Sequence, residues 1–321
     1  RRIEKSTSRP ASQIDLAYRL AFGRLPENQE RTAAREFLDM QRDHIKTASA
    51  PKTSKTKLAV GRIPKRSDNA LLLTGDPKAA LPTVPFHESL PTGDFTIEAV
   101  IYLKSLYPDA TVRTIVSHWD SNSKHPGWSF GVTSTKSGYQ PRNLILQLVG
   151  SDSSGKTTYE VVASNLRPDL NKPYYVAASV KISETGKSGI TFFLKDLSKN
   201  DAPLQTAAVT HRVVKDYRPT IPFLLGGRHG QTRHRWDGLL DNVRLSARVL
   251  PKSELLVSRQ GKPAGIVGFW TFDVNNEIGH DVSGHGRQLV SDAKKVTDPR
   301  TSALVDFCHV LLNSNEFLYV E

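Results

Sequence analysis

The chain has 321 residues, 38% apolar and 24% charged, and carries a formal net charge of +12. That is enough material for one large or two modest water-soluble domains, and no run approaches the about 18 consecutive apolar residues of a membrane-spanning helix. A single cysteine, Cys308, excludes an intrachain disulfide framework.

The opening Arg1-Arg2-Ile3 shows neither a methionine nor a signal-peptide pattern, so the chain reads as part of a longer protein. Residues 1–66 hold 16 Lys and Arg against 7 Asp and Glu, a net +9 and most of the total. Such an excess suits nucleic acid or an anionic surface. Here it lies on amphipathic helices and a polar linker with almost no interleaved aromatics, so no nucleic-acid partner is expected.

Residues 12–45 are helical in pattern: Ile14, Ala17, Tyr18 and Ala21 recur at helical spacing, and Gly23 stops the run. Pro26 fits the first turn of a second helix, with Glu27 and Glu30 near its positive end. Its apolar stripe is Ala33, Ala34, Phe37, Leu38 and Ile45. Residues 1–45 thus form a helical flank, and residues 46–67, rich in Lys, Ser, Thr and Pro, a linker. Residues 68–292 are rich in Thr, Val, Ile and Tyr and broken by Gly, Asp, Ser and Asn, which predicts a mainly β sandwich or barrel of short strands. The clearest hairpin covers residues 223–250, two apolar runs around a Gly/Arg/His loop. Strict alternation in its second run puts Leu240, Asn242 and Arg244 on one face and Asp241, Val243 and Leu245 on the other. Asp298 is a candidate N-cap and Pro299 a first helical residue. Leu304, Val305, Cys308, Leu311 and Leu312 then form one face, so residues 298–321 make a second helical flank. Neither flank can bury a core alone, so the two are expected to pair, with the β domain inserted between them.

The run Phe223-Leu224-Leu225-Gly226-Gly227-Arg228, its loop, and Trp236-Asp237-Gly238-Leu239-Leu240-Asp241-Asn242-Val243-Arg244 resemble the closing hairpin of LamG-like domains, the concanavalin A-like lectin/glucanase jelly rolls. Phe95-Thr96-Ile97-Glu98-Ala99-Val100-Ile101-Tyr102 is similar to that family's early core strand. Residues 113–116 with Gly127-Trp128-Ser129-Phe130-Gly131-Val132 resemble its next hairpin, and residues 174–180 with 189–194 its central pair. Val267-Gly268-Phe269-Trp270-Thr271-Phe272-Asp273, with Asp281-Val282-Ser283-Gly284-His285-Gly286, resembles a segment that normally opens the domain and here closes it. Termini of such sandwiches lie close together, which accommodates the permutation. The resemblance implies a concanavalin A-like β-sandwich over residues 68–292, with small flanking helical segments. A second resemblance covers Leu16-Ala17-Tyr18-Arg19-Leu20-Ala21-Phe22-Gly23-Arg24-Leu25-Pro26 and residues 303–319 with their Cys-His-Val-Leu-Leu-Asn-Ser-Asn-Glu-Phe core. These are similar to the C-terminal domain of large secreted planctomycetal cytochrome-type proteins. That implies an exported protein, periplasmic, cell-surface or extracellular, with further domains upstream, and supplies no catalytic residues.

Several strings invite chemistry. Gly150-Ser151-Asp152-Ser153-Ser154-Gly155-Lys156-Thr157 matches the phosphate-binding loop pattern, which needs a helix after it. A β-rich run follows instead, so no nucleotide is expected. Retaining glycoside hydrolysis needs two carboxylates about 5–5.5 Å apart; Glu98 stands alone in its strand, so catalysis would need carboxylates gathered from separate strands. Haem attachment needs two cysteines, so this chain holds no c-type haem, and Cys308, on an apolar stripe, reads as buried. The His229/His234 and His280/His285 pairs lack cysteine partners and read as solvated loop residues rather than zinc ligands. For calcium, the resemblance brings Asp241, Asp273 and Asp281 together at the sheet edge, where loop carbonyls complete the oxygen set a structural Ca²⁺ wants. For a ligand, Trp119, Asp120 and Asn122 on one loop, and Arg228 and His229 on another, offer the aromatic platform and planar polar groups that sugars need. Trp128, on an alternating strand, reads as core. The composite expectation is a non-catalytic module recognising a glycan or an extracellular protein. The rivals are a polysaccharide hydrolase and a purely architectural insert.

Overall fold

Gly23 closes the first helix with φ 72°, its N–H bonded to the Arg19 carbonyl at 3.2 Å. This left-handed close is one that glycine adopts without steric cost. In the computed structural model the described residues are 10–48, 58–64, 66, 68–215, 218–258, 263–273, 278–291 and 299–313. They fall into two compact units, Arg1–Ser54 with Lys295–Glu321, and Lys55–Lys294. Expectations for residues 1–9, 49–57, 292–298 and 314–321 lie outside the described residues.

The first unit holds α1 (Pro10–Phe22), α2 (Asn28–Ala48) and α3 (Pro299–Leu312). Ile14, Ala17 and Tyr18 of α1, Ala34 of α2, and Leu304, Phe307 and Leu311 of α3 share one core. The Phe307 ring lies 6.3 Å from Tyr18 and 6.0 Å from Phe37. Two details differ from expectation. Pro26 precedes α2 rather than entering it; Glu30 instead accepts the Glu27 N–H at 2.7 Å and both arms of Arg24 at 2.8 Å. The buried stripe of α3 is rotated: Ala303 and Phe307 face inward, whereas Val305 and Leu312 are each 42% exposed. Helical rotation explains it, since 304, 307 and 311 lie on one side and 305 and 312 fall beyond its edge.

In the second unit the strands are β1 (Val60–Arg62), β2 (Asn69–Thr74), β3 (Thr83–Val84), β4 (Phe95–Leu103), β5 (Arg113–His118), β6 (Gly127–Val132), β7 (Leu144–Ser151), β8 (Thr157–Ala163), β9 (Pro173–Val180), β10 (Ile190–Asp196), β11 (Gln205–Val209), β12 (Phe223–Leu225), β13 (Asp237–Ser246) and β14 (Ile266–Trp270). β1 falls inside the stretch expected to be linker: it pairs antiparallel with β2. Among the described residues there are two antiparallel sheets. One has the order β1-β2-β13-β4-β9-β10-β11, with β14 also on β13; the other runs β3-β12-β5-β6-β7-β8. Their facing sides bury one core containing Leu71, Ile97, Ile101, Val176, Phe192, Phe130, Leu146 and Leu148. Trp128 stacks on Phe95 with ring centres 4.5 Å apart, so this tryptophan is core as expected. The Gly-Gly pair after β12 is a packing requirement. At Gly226, φ is 74° and an added Cβ would sit 2.2 Å from Leu73 Cδ1.

β13 departs from strict alternation. Its pairing with β4 shifts between Asp241 and Arg244, and Asn242 takes φ 48°. This β-bulge returns Leu240, Val243 and Leu245 to the core together, while Arg244 and Asp241 face away from it. The bulge also marks a change of neighbour. β2 pairs with residues 237–240 of β13, and β14 pairs with residues 243–246 on the same edge. The first and last parts of the sandwich therefore lie end to end along β13.

Candidate functional site

Alternation decides what the six-stranded sheet shows on its outer side. Trp128, Phe130, Leu146 and Leu148 point into the core, so Ser129 and Gln147, which are register partners, point out. Ser117, opposite Ser129, joins them and donates to the Gly227 carbonyl at 2.8 Å. Tyr159 on β8 pairs with Val149 and lies diagonally from Gln147 on the same face. A polar strip thus crosses β5, β6, β7 and β8.

Two loops close over this strip. Residues 119–125 leave the end of β5. Gly127 lets them turn tightly, since a Cβ there would lie 2.5 Å from the His118 carbonyl oxygen and 2.9 Å from Trp119 Cβ. Trp119 donates to the Asn122 carbonyl at 2.9 Å, and Asp120 binds the Asn122 N–H at 2.9 Å and His125 at 2.6 Å. The second loop follows Gly227 and starts with Arg228. Gln231 ties the two loops together through the Asp120 carbonyl at 3.1 Å.

Their meeting point is a stack. Trp119 lies against Tyr159, with ring centres 5.7 Å apart and planes at 22°, and the Arg228 guanidinium sits 5.2 Å from the Trp119 ring centre. Arg228 donates from Nε to Thr114 Oγ1 at 3.0 Å, from Nη1 to Ser121 Oγ at 3.1 Å, and from Nη2 to Gln147 Oε1. Gln147 Nε2 in turn donates to the Tyr159 hydroxyl at 2.6 Å. The Tyr159 O–H proton is therefore available to an outside acceptor, and Tyr159 is 39% exposed. Burial pulls Arg228 down to about 9, so it is still a cation at neutral pH. Nearby His234 is driven to about 3, by burial first and Arg228 second, and is neutral.

The five residues expected to bind ligand are thus partly brought together. Trp119, Asp120 and Arg228 meet in one cluster, and Asn122 is exposed on its rim. Arg228, expected on an open loop, is 2% exposed, and Trp119, balanced in the sequence between core and open loop, is 3% exposed. Each covers the other, and the indole and guanidinium faces are more stable against one another than in water. His229 is half-buried beside Arg228 in the chain. Gln147, Tyr159 and Thr114 were not foreseen. A glutamine inside Leu144-Ile145-Leu146-Gln147-Leu148-Val149 was a legible signal, because alternation exempts it from the core. The Tyr159–Gln147 contact depends on strand register.

The expected calcium set does not form. Asp281 accepts backbone N–H groups of Phe269 at 2.9 Å, Ser283 at 3.0 Å and Arg287 at 3.0 Å, which makes it the hub of a tight turn. Both of its oxygens are engaged by these N–H groups. Asp241 accepts the Asn242 N–H and side-chain amide, both at 2.7 Å, and the neighbouring charge of Asp273 helps burial to raise it to about 7. Among the described residues no group of three or more His, Cys, Asp or Glu side chains is arranged to hold a metal.

Glu98, the lone carboxylate of β4, is fully buried. It takes Arg244 Nε at 2.5 Å, the Tyr175 hydroxyl at 2.7 Å and the Leu256 N–H at 2.8 Å. A cleft of about 590 Å³ opens beside it on the outer face of the eight-stranded sheet, lined by Arg66, Asp68, Asn242, Arg244 and Asp273 among others. The string that mimics a phosphate loop is a hairpin turn between β7 and β8. There Asp152 Oδ1 already accepts the Ser154 and Lys156 N–H groups, at 2.9 and 3.1 Å.

Residues 73–256 match the Laminin_G_3 family, described as Concanavalin A-like lectin/glucanases superfamily. No curated protein matches the chain in sequence. Among solved structures the chain is similar to the enzymatically active domain of tailspike protein 2 from bacteriophage CBA120, at TM-score 0.48 and 12% identity, covering 67% of this chain and 32% of that one. It is also similar to the Ruminococcus gnavus IT-sialidase CBM40 bound to α2,3-sialyllactose, at TM-score 0.37, 11% identity and 59% and 94% coverage. A heptameric SAP-like pentraxin from Limulus polyphemus gives TM-score 0.35, 14% identity and 64% and 92% coverage. The chain thus spans about a third of the tailspike protein.

Proposed function

The chain belongs to the concanavalin A-like lectin/glucanase superfamily through residues 73–256, and from that premise we propose that its β-sandwich is a non-catalytic module that recognises a glycan at the outer face of the six-stranded sheet. The observation that carries this reading is the half-exposed Tyr159 ring, backed by Trp119 and bonded through Gln147 to Arg228. Sugars present apolar C–H faces and planar arrays of hydroxyls. A backed aromatic ring with a free O–H donor, an exposed Asn122 and a fixed amide answer both. The non-catalytic part rests on the carboxylates. Asp120, at the rim, is held by the Asn122 N–H and His125, and Glu98 is saturated and buried under residues 250–257 on the other sheet.

Affinity at such a shallow face is modest, because sugar hydroxyls exchange water bonds for protein bonds of similar worth. A Kd near the millimolar end, about −4 kcal/mol, is expected. Glycan-array binding at high protein density tests the reading, with Tyr159→Ala as the control. Signal from wild type that Tyr159→Ala loses supports it. A silent array leaves the sandwich as an architectural insert, and sugar release from a polysaccharide would establish the hydrolase.

We also read the helical unit as the terminal domain of an exported planctomycetal cytochrome-type protein. That reading rests on the motifs at 16–26 and 303–319. A gene whose upstream frame encodes a signal peptide and a Cys-x-x-Cys-His site would support it; an upstream frame with neither would remove it.

A further inference from the structure

Arg228 is a buried cation with no anion beside it. Its three bonded neighbours, Thr114, Ser121 and Gln147, are neutral, and among the described residues no carboxylate pairs with it. Removing a guanidinium from water without a counter-charge costs several kcal/mol. An alkyl side chain would fill the same space more cheaply, so packing alone does not account for an arginine here. Its five N–H groups make three bonds, which leaves two donors, one on each Nη. A second polar atom on this face is also unsatisfied: Ser129 Oγ is fully buried without a hydrogen-bond partner, and Ser129 is the register partner of Gln147.

The 119–125 loop covers the guanidinium with the buried Trp119 ring and with the hydroxyl of the half-buried Ser121. Ser121 holds φ 70°, a left-handed conformation that costs a non-glycine residue about 1 kcal/mol or more. The rest of the loop is braced internally through Asp120, Asn122 and His125. An incoming anionic oxygen that replaces Ser121 Oγ therefore exchanges a cation–hydroxyl bond for one in which both partners are charged. Tyr159, 39% exposed, is joined to Arg228 through Gln147, so a sugar over Tyr159 brings a substituent toward the guanidinium.

We propose that the glycan bound at this face is acidic, and that Arg228 receives its carboxylate or sulfate group in place of the Ser121 hydroxyl. The inference rests on the glycan reading above and narrows it to one class of ligand. A two-donor fork facing a planar carboxylate or a sulfate edge is the geometry guanidinium offers and ammonium does not.

The test uses oligogalacturonate, its fully methyl-esterified form, and sulfated dextran beside neutral dextran, titrated calorimetrically in about 0.15 M salt, where long-range surface attraction is screened. Wild type is expected to prefer the charged member of at least one pair by about ten- to a hundredfold, the range of a charge-assisted hydrogen bond. The pair that responds tells carboxylate from sulfate. Arg228→Met should erase that preference. Arg228→Lys should restore part of it. Ser121→Gly, which removes the competing hydroxyl and accepts positive φ, should tighten acidic ligands and leave neutral ones unchanged. Thermal melts identify any variant that fails to fold, and Ser121→Gly leaves the packed stack intact, so it answers even if Arg228→Met unfolds. Equal binding of acid and ester by wild type, or an unchanged preference in folded Arg228→Met, overturns the acidic-ligand inference while the glycan reading stands. Binding of no saccharide at all removes the glycan reading itself.

Discussion

At the scale of single residues, Asp241 makes the clearest pH prediction. Burial first, then the charges of Asp273 and Asp68, raise its carboxyl from 3.8 to about 7 in the folded protein. Between those values the folded state holds a proton that the unfolded state has released. Its contribution to stability is therefore greatest below about pH 4, falls as pH climbs to about 7, and then levels off. Asp241→Asn keeps the side-chain shape and cannot ionise, and a flipped Asn242 amide satisfies it. The variant should gain stability relative to wild type as pH rises, by about 1–3 kcal/mol at pH 8. Denaturant melts at pH 4, 6 and 8 would show the difference widening; a constant difference would contradict it. Calcium should leave the melting temperature unchanged, because the oxygens of Asp281 are occupied by three backbone N–H groups. A rise of several degrees in about 10 mM CaCl₂, in the range extracellular sites require, would restore the metal. The core place of Trp128 was legible in the sequence, and so were the two loops that carry Trp119 and Arg228. Their burial was not, because it depends on Tyr159, forty residues away and reached only through strand register.

At the scale of elements, the sequence periods were read correctly on the regular core strands and misread on α3, whose stripe is rotated, and on β13. β4, β6 and β9 follow alternation. β13 breaks it at Asn242, and an Asp-Asn pair inside an otherwise alternating run was the one local sign that a bulge was possible. β1 was hidden in a polar linker because Val60-Gly61-Arg62 gains its place from pairing with β2, which is a tertiary effect. The β5–β6 connection shows how an element positions the site. In Gly127→Ala the new Cβ would meet the His118 carbonyl at 2.5 Å and Trp119 at 2.9 Å. The connection would have to open, at about 1–3 kcal/mol. The expected result is a lower melting temperature and a shifted tryptophan emission, with weakened saccharide binding. Unchanged emission and full binding would show that the loop holds Trp119 without help from Gly127.

At the scale of the whole molecule, the chain is two units built by different rules. The core of the helical unit comes from three short amphipathic helices, and that of the larger unit from two facing sheets. Residues 55–294 expressed alone should unfold cooperatively. The helical segments, with fewer than about 80 residues between them, should be marginal without the rest of the chain. A molten sandwich beside stably folded helices would reverse that expectation. The cluster that crosses β5, β6, β7 and β8 joins residues as far apart as Thr114 and Arg228, so its existence was not legible from any one stretch of sequence. The most direct test of its role is an amide-shift titration of the protein with oligogalacturonate and sulfated dextran oligosaccharides. Shifts clustered on residues 119–123, Gln147, Tyr159 and 228–231 are the predicted result. Shifts clustered instead around Lys195, Asn242 and Asp273, in the cleft of the opposite sheet, or no shifts with any saccharide, would contradict it.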